Sequence, residues 1–208
     1  MKVVIVTVPM RPPHKVKSVQ FPVAGNKALE YDKAVFSPVN SVLAKNMKKG
    51  EEVKLIYIMT VGGNSQCELN KRTFMEELEG INSEIGAVLS SETIEIEFLP
   101  VKKTYNKLIT DLAEKIPDNA EIFADITFGS KPDILSLFCA LRFVEEFREA
   151  LVQFIVYGRV EFHNETEEIE HPMLFDVTSL YYLFKLMGTM GAADADKASE
   201  ILKNFFAI

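Results

Sequence analysis

One thirteen-residue segment, Glu121-Ile-Phe-Ala-Asp-Ile-Thr-Phe-Gly-Ser-Lys-Pro-Asp133, constrains the fold more than any other. Its first half is an apolar, strand-forming run. Its second half is a tight turn that opens a helix. Gly129 lets the backbone bend or approach a ligand closely. Ser130 reads as an N-cap, and Pro132 suits the first helical turn, where its missing N–H is not needed. A buried strand that feeds directly into a helix is the building block of a parallel α/β sheet.

The same alternation recurs along the chain. Val3 to Val8 is a continuous β-branched run, as expected of a strand buried on both faces. Ser37-Pro38 opens a helix that Gly50 closes, and Val53 to Thr60 is the next strand. A turn at Gly62-Gly63-Asn64 precedes a helix running to about Gly80. Thr93 to Leu99 alternates Ile94, Ile96 and Phe98 with Glu95 and Glu97, the pattern of an edge or half-exposed strand. Tyr105 to Ile116 is helical and stopped by Pro117; Ile122 to Thr127 and Pro132 to about Arg148 form the next strand and helix. Leu151 to Tyr157 is a fifth strand, extended onward by Arg159 to Phe162. The acidic stretch Asn164 to Glu170 then turns back into Met173-Leu-Phe175. Thr178 caps a helix, and a last helix begins near Asp194.

The expected fold is therefore α/β: a Rossmann-like, mostly parallel sheet flanked by helices, with a terminal antiparallel hairpin and C-terminal helices. Residues 1–163 form the Rossmann-like part and 164–208 a return strand and helical extension of the same compact unit. The stretch from Pro9 to Ser37 is too long for an ordinary loop and too apolar for disorder, so it reads as an ordered flap with a small hairpin.

Composition narrows the function. A net charge of −7 argues against general binding to duplex nucleic acid. Yet Arg11, His14, Lys15 and Lys17 crowd into the first loop, a local charge suited to a small anion or only to a solvated face. Cys67 and Cys139 have no metal-ligand spacing, and the three histidines stand apart, so no metal site and no cofactor are expected. No apolar run is long enough for a bilayer, and the first strand opens too early for a signal peptide, so the expected location is cytoplasmic. Phosphate-loop, dinucleotide and serine-hydrolase motifs are absent from the sequence.

In open α/β sheets ligands sit beyond the carboxyl ends of the strands. Three strand ends then matter: Thr7-Val8-Pro9, Met59-Thr60-Val61, and Thr127-Phe128-Gly129-Ser130-Lys131. The last places a helix N-terminus and a lysine together, a corner suited to a phosphate, although the same residues also make an ordinary capped turn. Asp125 within the strand must be hydrogen-bonded or paired, and its expected role is to brace neighbouring loops. Asn26, beside Gly25, reads as a turn residue within reach of a ligand.

Asp-Ile-Thr-Phe-Gly-Ser-Lys-Pro at 125–132 resembles the Asp-ϕ-Thr-x-Gly-x-Lys/Arg-x motif of CARF domains, the CRISPR-associated Rossmann folds. Further similarities are Ile155-Val-Tyr-Gly158, Phe175-Asp-Val-Thr-Ser-Leu-Tyr181, Phe21 to Ala28 and Ser37 to Ala44, so that the likeness spans nearly the whole chain. The resemblance implies a homodimer whose two cores form one symmetric pocket for a cyclic oligoadenylate made by type III CRISPR complexes. It implies ligand contacts from Thr7, Val8 and Pro9 as a first loop and from Thr127, Phe128, Gly129, Ser130 and Lys131 as a second; by their places at a strand end and in the flap, Thr60, Lys15, Lys17 and Asn26 are further candidates. After the fifth strand too little chain remains for a HEPN ribonuclease. A standalone ring nuclease is one reading: metal-free attack of a ribose 2′-OH on the adjacent phosphate, with Lys131 stabilising charge and Ser130 positioning the phosphate. A non-catalytic sensor or regulatory module acting through a partner is the alternative. An unrelated mononucleotide enzyme, with its pocket inside one subunit, is a third.

Overall fold

A computed structural model describes residues 1–62, 65–98, 101–162, 169–189 and 194–206. Seven strands form one sheet: β1 (Lys2–Thr7), β2 (Val23–Ala24), β3 (Glu52–Val61), β4 (Val88–Glu97), β5 (Glu121–Asp125), β6 (Leu151–Phe162) and β7 (Ile169–Asp176). Their order is β2-β7-β6-β5-β1-β3-β4. Every pairing is parallel except β6 with β7, so the expected Rossmann-like α/β sheet with an antiparallel return strand is what forms. Six α-helices accompany it among the described residues: α1 (Pro38–Asn46), α2 (Cys67–Ile85), α3 (Lys102–Lys115), α4 (Lys131–Phe147), α5 (Thr178–Thr189) and α6 (Ala195–Phe206).

From β1 the chain builds outward to β3 and β4, then returns to lay β5, β6 and β7 on the other side of β1. The strand order therefore reverses between β1 and β5, and a crevice opens there at the carboxyl ends. All six residues of β1 are buried, because this strand is central and covered on both faces. Val4, Val6, Leu55, Tyr57 and Phe123 pack into one core with Val39, Val42 and Leu43 of α1 and Phe74 and Leu78 of α2. On α3 and α4, Leu108, Leu112, Leu137, Leu141 and Val144 are fully buried. β4 is the edge, and its alternation of buried Ile94 and Ile96 with exposed Glu95 and Glu97 follows from that position.

Several expected boundaries shift for identifiable reasons. α1 ends at Asn46, with Met47 already extended, so Gly50 does not close the helix; it occupies the positive-φ position of the following turn. α2 runs past Gly80 to Ile85 and stops at Gly86, which adopts the left-handed conformation that favours glycine. Beyond Gly158 the chain stays extended, as expected, and β6 runs on as one strand to Phe162. The flap is not a hairpin. Val19 and Val35 form a single bridge, and Val23–Ala24 joins the edge of the main sheet beside β7. Asp176, through its carboxylate, accepts from the Thr178 backbone N–H at 3.0 Å, while the Thr178 hydroxyl accepts from Ile155 N at 2.8 Å. The turns expected around Gly63-Asn64 and across 164–168, with His163, lie outside the described residues.

The chain divides into two compact units, Met1–Thr178 and Ser179–Ile208. β7 belongs to the first because its backbone is paired with β6 and β2. In the second, Leu180, Phe184 and Met187 form an exposed apolar stripe at helical spacing, and Asp194 caps α6 by accepting from Lys197 N at 2.8 Å. No helix among the described residues is long and apolar enough to cross a membrane.

Candidate functional site

The junction between β5 and α4 is built on three interlocking devices. Gly129 has φ +94°, and a Cβ there would come within 3.3 Å of Thr7 Cβ and Cγ2, so both conformation and space favour glycine. Ser130 Oγ accepts from Asp133 N at 3.3 Å while Asp133 Oδ2 accepts from Ser130 N at 2.9 Å, a reciprocal capping box. Thr7 Oγ1 lies 2.6 Å from Phe128 O and 3.1 Å from Asp125 O and donates its proton between them, tying β1 to the turn. The backbone N–H groups of Phe128, Gly129 and Lys131 have no acceptor among the described residues. Such N–H groups at a helix start favour an anion.

Asp125 braces this junction from below. One carboxylate oxygen accepts from Thr127 N at 2.8 Å and the other from Val39 N at 3.1 Å, in the first turn of α1. Its burial is complete, and desolvation pushes its pKa up to about 6 although these hydrogen bonds oppose the rise. Thr127 Oγ1 accepts from Gly158 N at 2.8 Å, joining the turn to β6. Glu77, on α2, accepts from Phe36 N at 2.6 Å, Ser37 N at 3.2 Å and Asn40 Nδ2 at 2.7 Å. It holds the chain entering α1, while Asp125 takes the first-turn N–H of Val39; the buried hydroxyl of Ser37 has no partner among the described residues. Burial raises the Glu77 pKa too.

Above these braces lies a cavity of about 840 Å³ that runs across the carboxyl ends of β1, β3, β4 and β5 and the middle of β6. β1 and its loop contribute Val8, Pro9, Met10 and Arg11; β3 contributes Thr60; β4 contributes Ile96, Glu97 and Phe98. The β5–α4 turn contributes Thr127 to Ser130, and β6 contributes Tyr157 and Gly158. From the flap come Lys15, Val16, Lys17, Phe21 and Phe36. Asn70 on α2 fixes the entry of the flap, since its Nδ2 donates to Pro9 O at 2.7 Å and Arg11 O at 2.8 Å. The result is a largely apolar, aromatic-walled cavity with cations on one side, the character of a site for an organic anion.

The structure brings together most of the residues singled out from the sequence. Val8, Pro9, Lys15, Lys17, Thr60, Thr127, Phe128, Gly129 and Ser130 all line the cavity. Three others do not. Thr7 is buried beneath the turn and acts through hydrogen bonds. Asn26 is exposed and caps a short 3-10 turn by accepting from Ala28 N at 3.2 Å. Lys131, expected to carry the central charge, is exposed and outside the cavity lining, although Ser130 and Pro132 on either side of it line the cavity. The cations that line the cavity of a single chain are Arg11, Lys15 and Lys17.

Asn70 and Glu77 escape a sequence reading because their partners are backbone groups about 40 to 60 residues away. Their one signal is a polar residue on the inward face of an otherwise amphipathic helix. Among the described residues no cluster of His, Cys, Asp or Glu could hold a metal ion. No protein-family model matches the chain, and no curated protein does.

Proposed function

We propose that this chain is a CARF-type protein that binds a cyclic oligoadenylate, two copies pairing so that their cavities face one ring. The observation that supports it best is the cavity itself. It lies at the reversal point of strand order, it places a glycine turn with unspent N–H groups beside an aromatic wall, and it draws three basic side chains from the flap into an acidic protein. Phosphates suit the turn and the basic loop; bases suit the aromatic wall. Binding is the better-supported half of this reading. The hydroxyls of Thr127 and Ser130 already hold the turn in place, and Lys131 lies outside the lining. If the ring is also cleaved by its own 2′-OH, charge at phosphorus falls to Arg11, Lys15 or Lys17.

The test is incubation of the purified chain with cyclic tetra- and hexa-adenylate without metal, with calorimetry for binding, chromatography for products and ultracentrifugation for subunit pairing. Saturable binding to a dimer, weakened by K15A/K17A, supports the proposal; linear products add ring cleavage, and their absence leaves a sensor. One specific observation favours a rival: at about 840 Å³ the cavity of one chain has room for a whole mononucleotide. A monomer that binds AMP and ignores the rings would replace the ring nucleotide by a mononucleotide.

A further inference from the structure

We infer that Glu97 and Phe98, at the carboxyl end of β4, read the base of the bound nucleotide: Phe98 stacks on it, and Glu97 accepts a hydrogen bond from the exocyclic amine of adenine. The assignment rests on the nucleotide reading of the cavity and goes beyond it, because it names what selects the base.

Both residues line the cavity. Phe98 is 60% exposed, a large aromatic surface held at the mouth by its backbone bond to Val61 O. The Glu97 carboxylate has no hydrogen-bond or ion-pair partner among the described residues. The other carboxylate on the lining, Asp133, is spent on the Ser130 N–H. The cavity is therefore bipolar, with Arg11, Lys15 and Lys17 toward β1 and its flap, and Glu97 at β4. In the sheet β4 is separated from β1 by β3 alone, which at about 4.8 Å per spacing is roughly 10 Å. One nucleotide spans such a gap from phosphate to base edge. A purely anionic ligand is repelled at the β4 end; a ligand with phosphate at one end and an amine at the other meets complementary groups at both.

A carboxylate only accepts hydrogen bonds. It favours the amine of adenine over the carbonyl that hypoxanthine carries at the same position. Stacking tolerates every base, so discrimination falls to Glu97.

The experiment measures dissociation constants of AMP, IMP, cyclic tetra-adenylate and its inosine counterpart for the full chain and for E97A, E97Q and F98A, with thermal melts to verify folding. The expected wild-type preference for adenine is about tenfold, the worth of one charge-assisted hydrogen bond at a partly exposed site. E97A loses the preference, E97Q narrows it because an amide also donates, and F98A weakens both bases alike. Equal wild-type affinity for AMP and IMP, or a preference that survives E97A, overturns the assignment. If the rings fail to bind while AMP still beats IMP through Glu97, the ring reading falls and the base-reading residue stands. If no nucleotide binds, both fall.

Discussion

Asp125 makes the stability of this protein depend on pH in an unusual direction. Its carboxyl is fully buried at the end of β5, and desolvation lifts its pKa from 3.8 to about 6. The folded chain thus holds this proton more tightly than the unfolded chain does. The contribution of the group is greatest below the unfolded value and is lost as pH rises through about 6. With the folded value at about 6 and the unfolded value at 3.8, linkage gives on the order of 1 kcal/mol more stability at pH 5.0 than at pH 7.5. For a chain of this size that corresponds to about 2–4 °C in midpoint temperature. Glu77 shifts in the same sense, whereas Glu30 and Glu92 are lowered by their lysine partners and act oppositely. A comparison with Asp125→Asn removes these, since all three remain in the variant. Urea unfolding of both proteins at the two pH values gives four free energies. The wild type should gain on the order of 1 kcal/mol relative to the variant on moving to pH 5.0. The absolute stability of the variant does not enter, which matters because the amide presents a donor to Val39 N–H. Identical pH responses in the two proteins would refute the claim that burial holds this carboxyl anomalously protonated.

Three further outcomes follow from the braces of the site. Gly158→Ala places a Cβ 2.6 Å from Pro38 Cγ and 3.1 Å from Thr127 Oγ1, so it should destabilise by about 1–3 kcal/mol in urea unfolding; an unchanged midpoint would show that α1 can retreat freely. Asn70→Ala leaves the carbonyls of Pro9 and Arg11 without their donor. It should lose about 2 kcal/mol and speed amide exchange across residues 10–17, and unaltered exchange would remove Asn70 as the anchor of the flap. Ser130→Ala removes half of the capping box and should lower stability by about 1 kcal/mol, measured by thermal unfolding; no loss would mean that Asp133 alone suffices.

What could be read in advance depended on how far each interaction reaches along the chain. The Gly129-Ser130-Lys131-Pro132 turn was legible because its cap, its φ requirement and its proline all act within four residues. The position of β4 at the sheet edge was legible from its alternation, since burial on one face imposes period two. Helix ends misled where a glycine is present but not required. Gly50 lies beyond a helix that had already ended, and Gly80 sits inside a helix whose terminus is decided at Gly86. The flap misled more, because a two-residue strand is set by the edge of β7 and not by its own sequence.

Local residue order is enough to set the alternation of strands and helices, the anion-favouring turn after β5 and the cluster of cations in an acidic chain. Which cations share the cavity was left to three-dimensional packing. Lys131 stays outside the lining while the flap, held by Asn70, brings Lys15 and Lys17 to it. Packing alone also set Glu97 across from them, because the distance between two charges follows from strand order in the sheet and not from their separation along the chain.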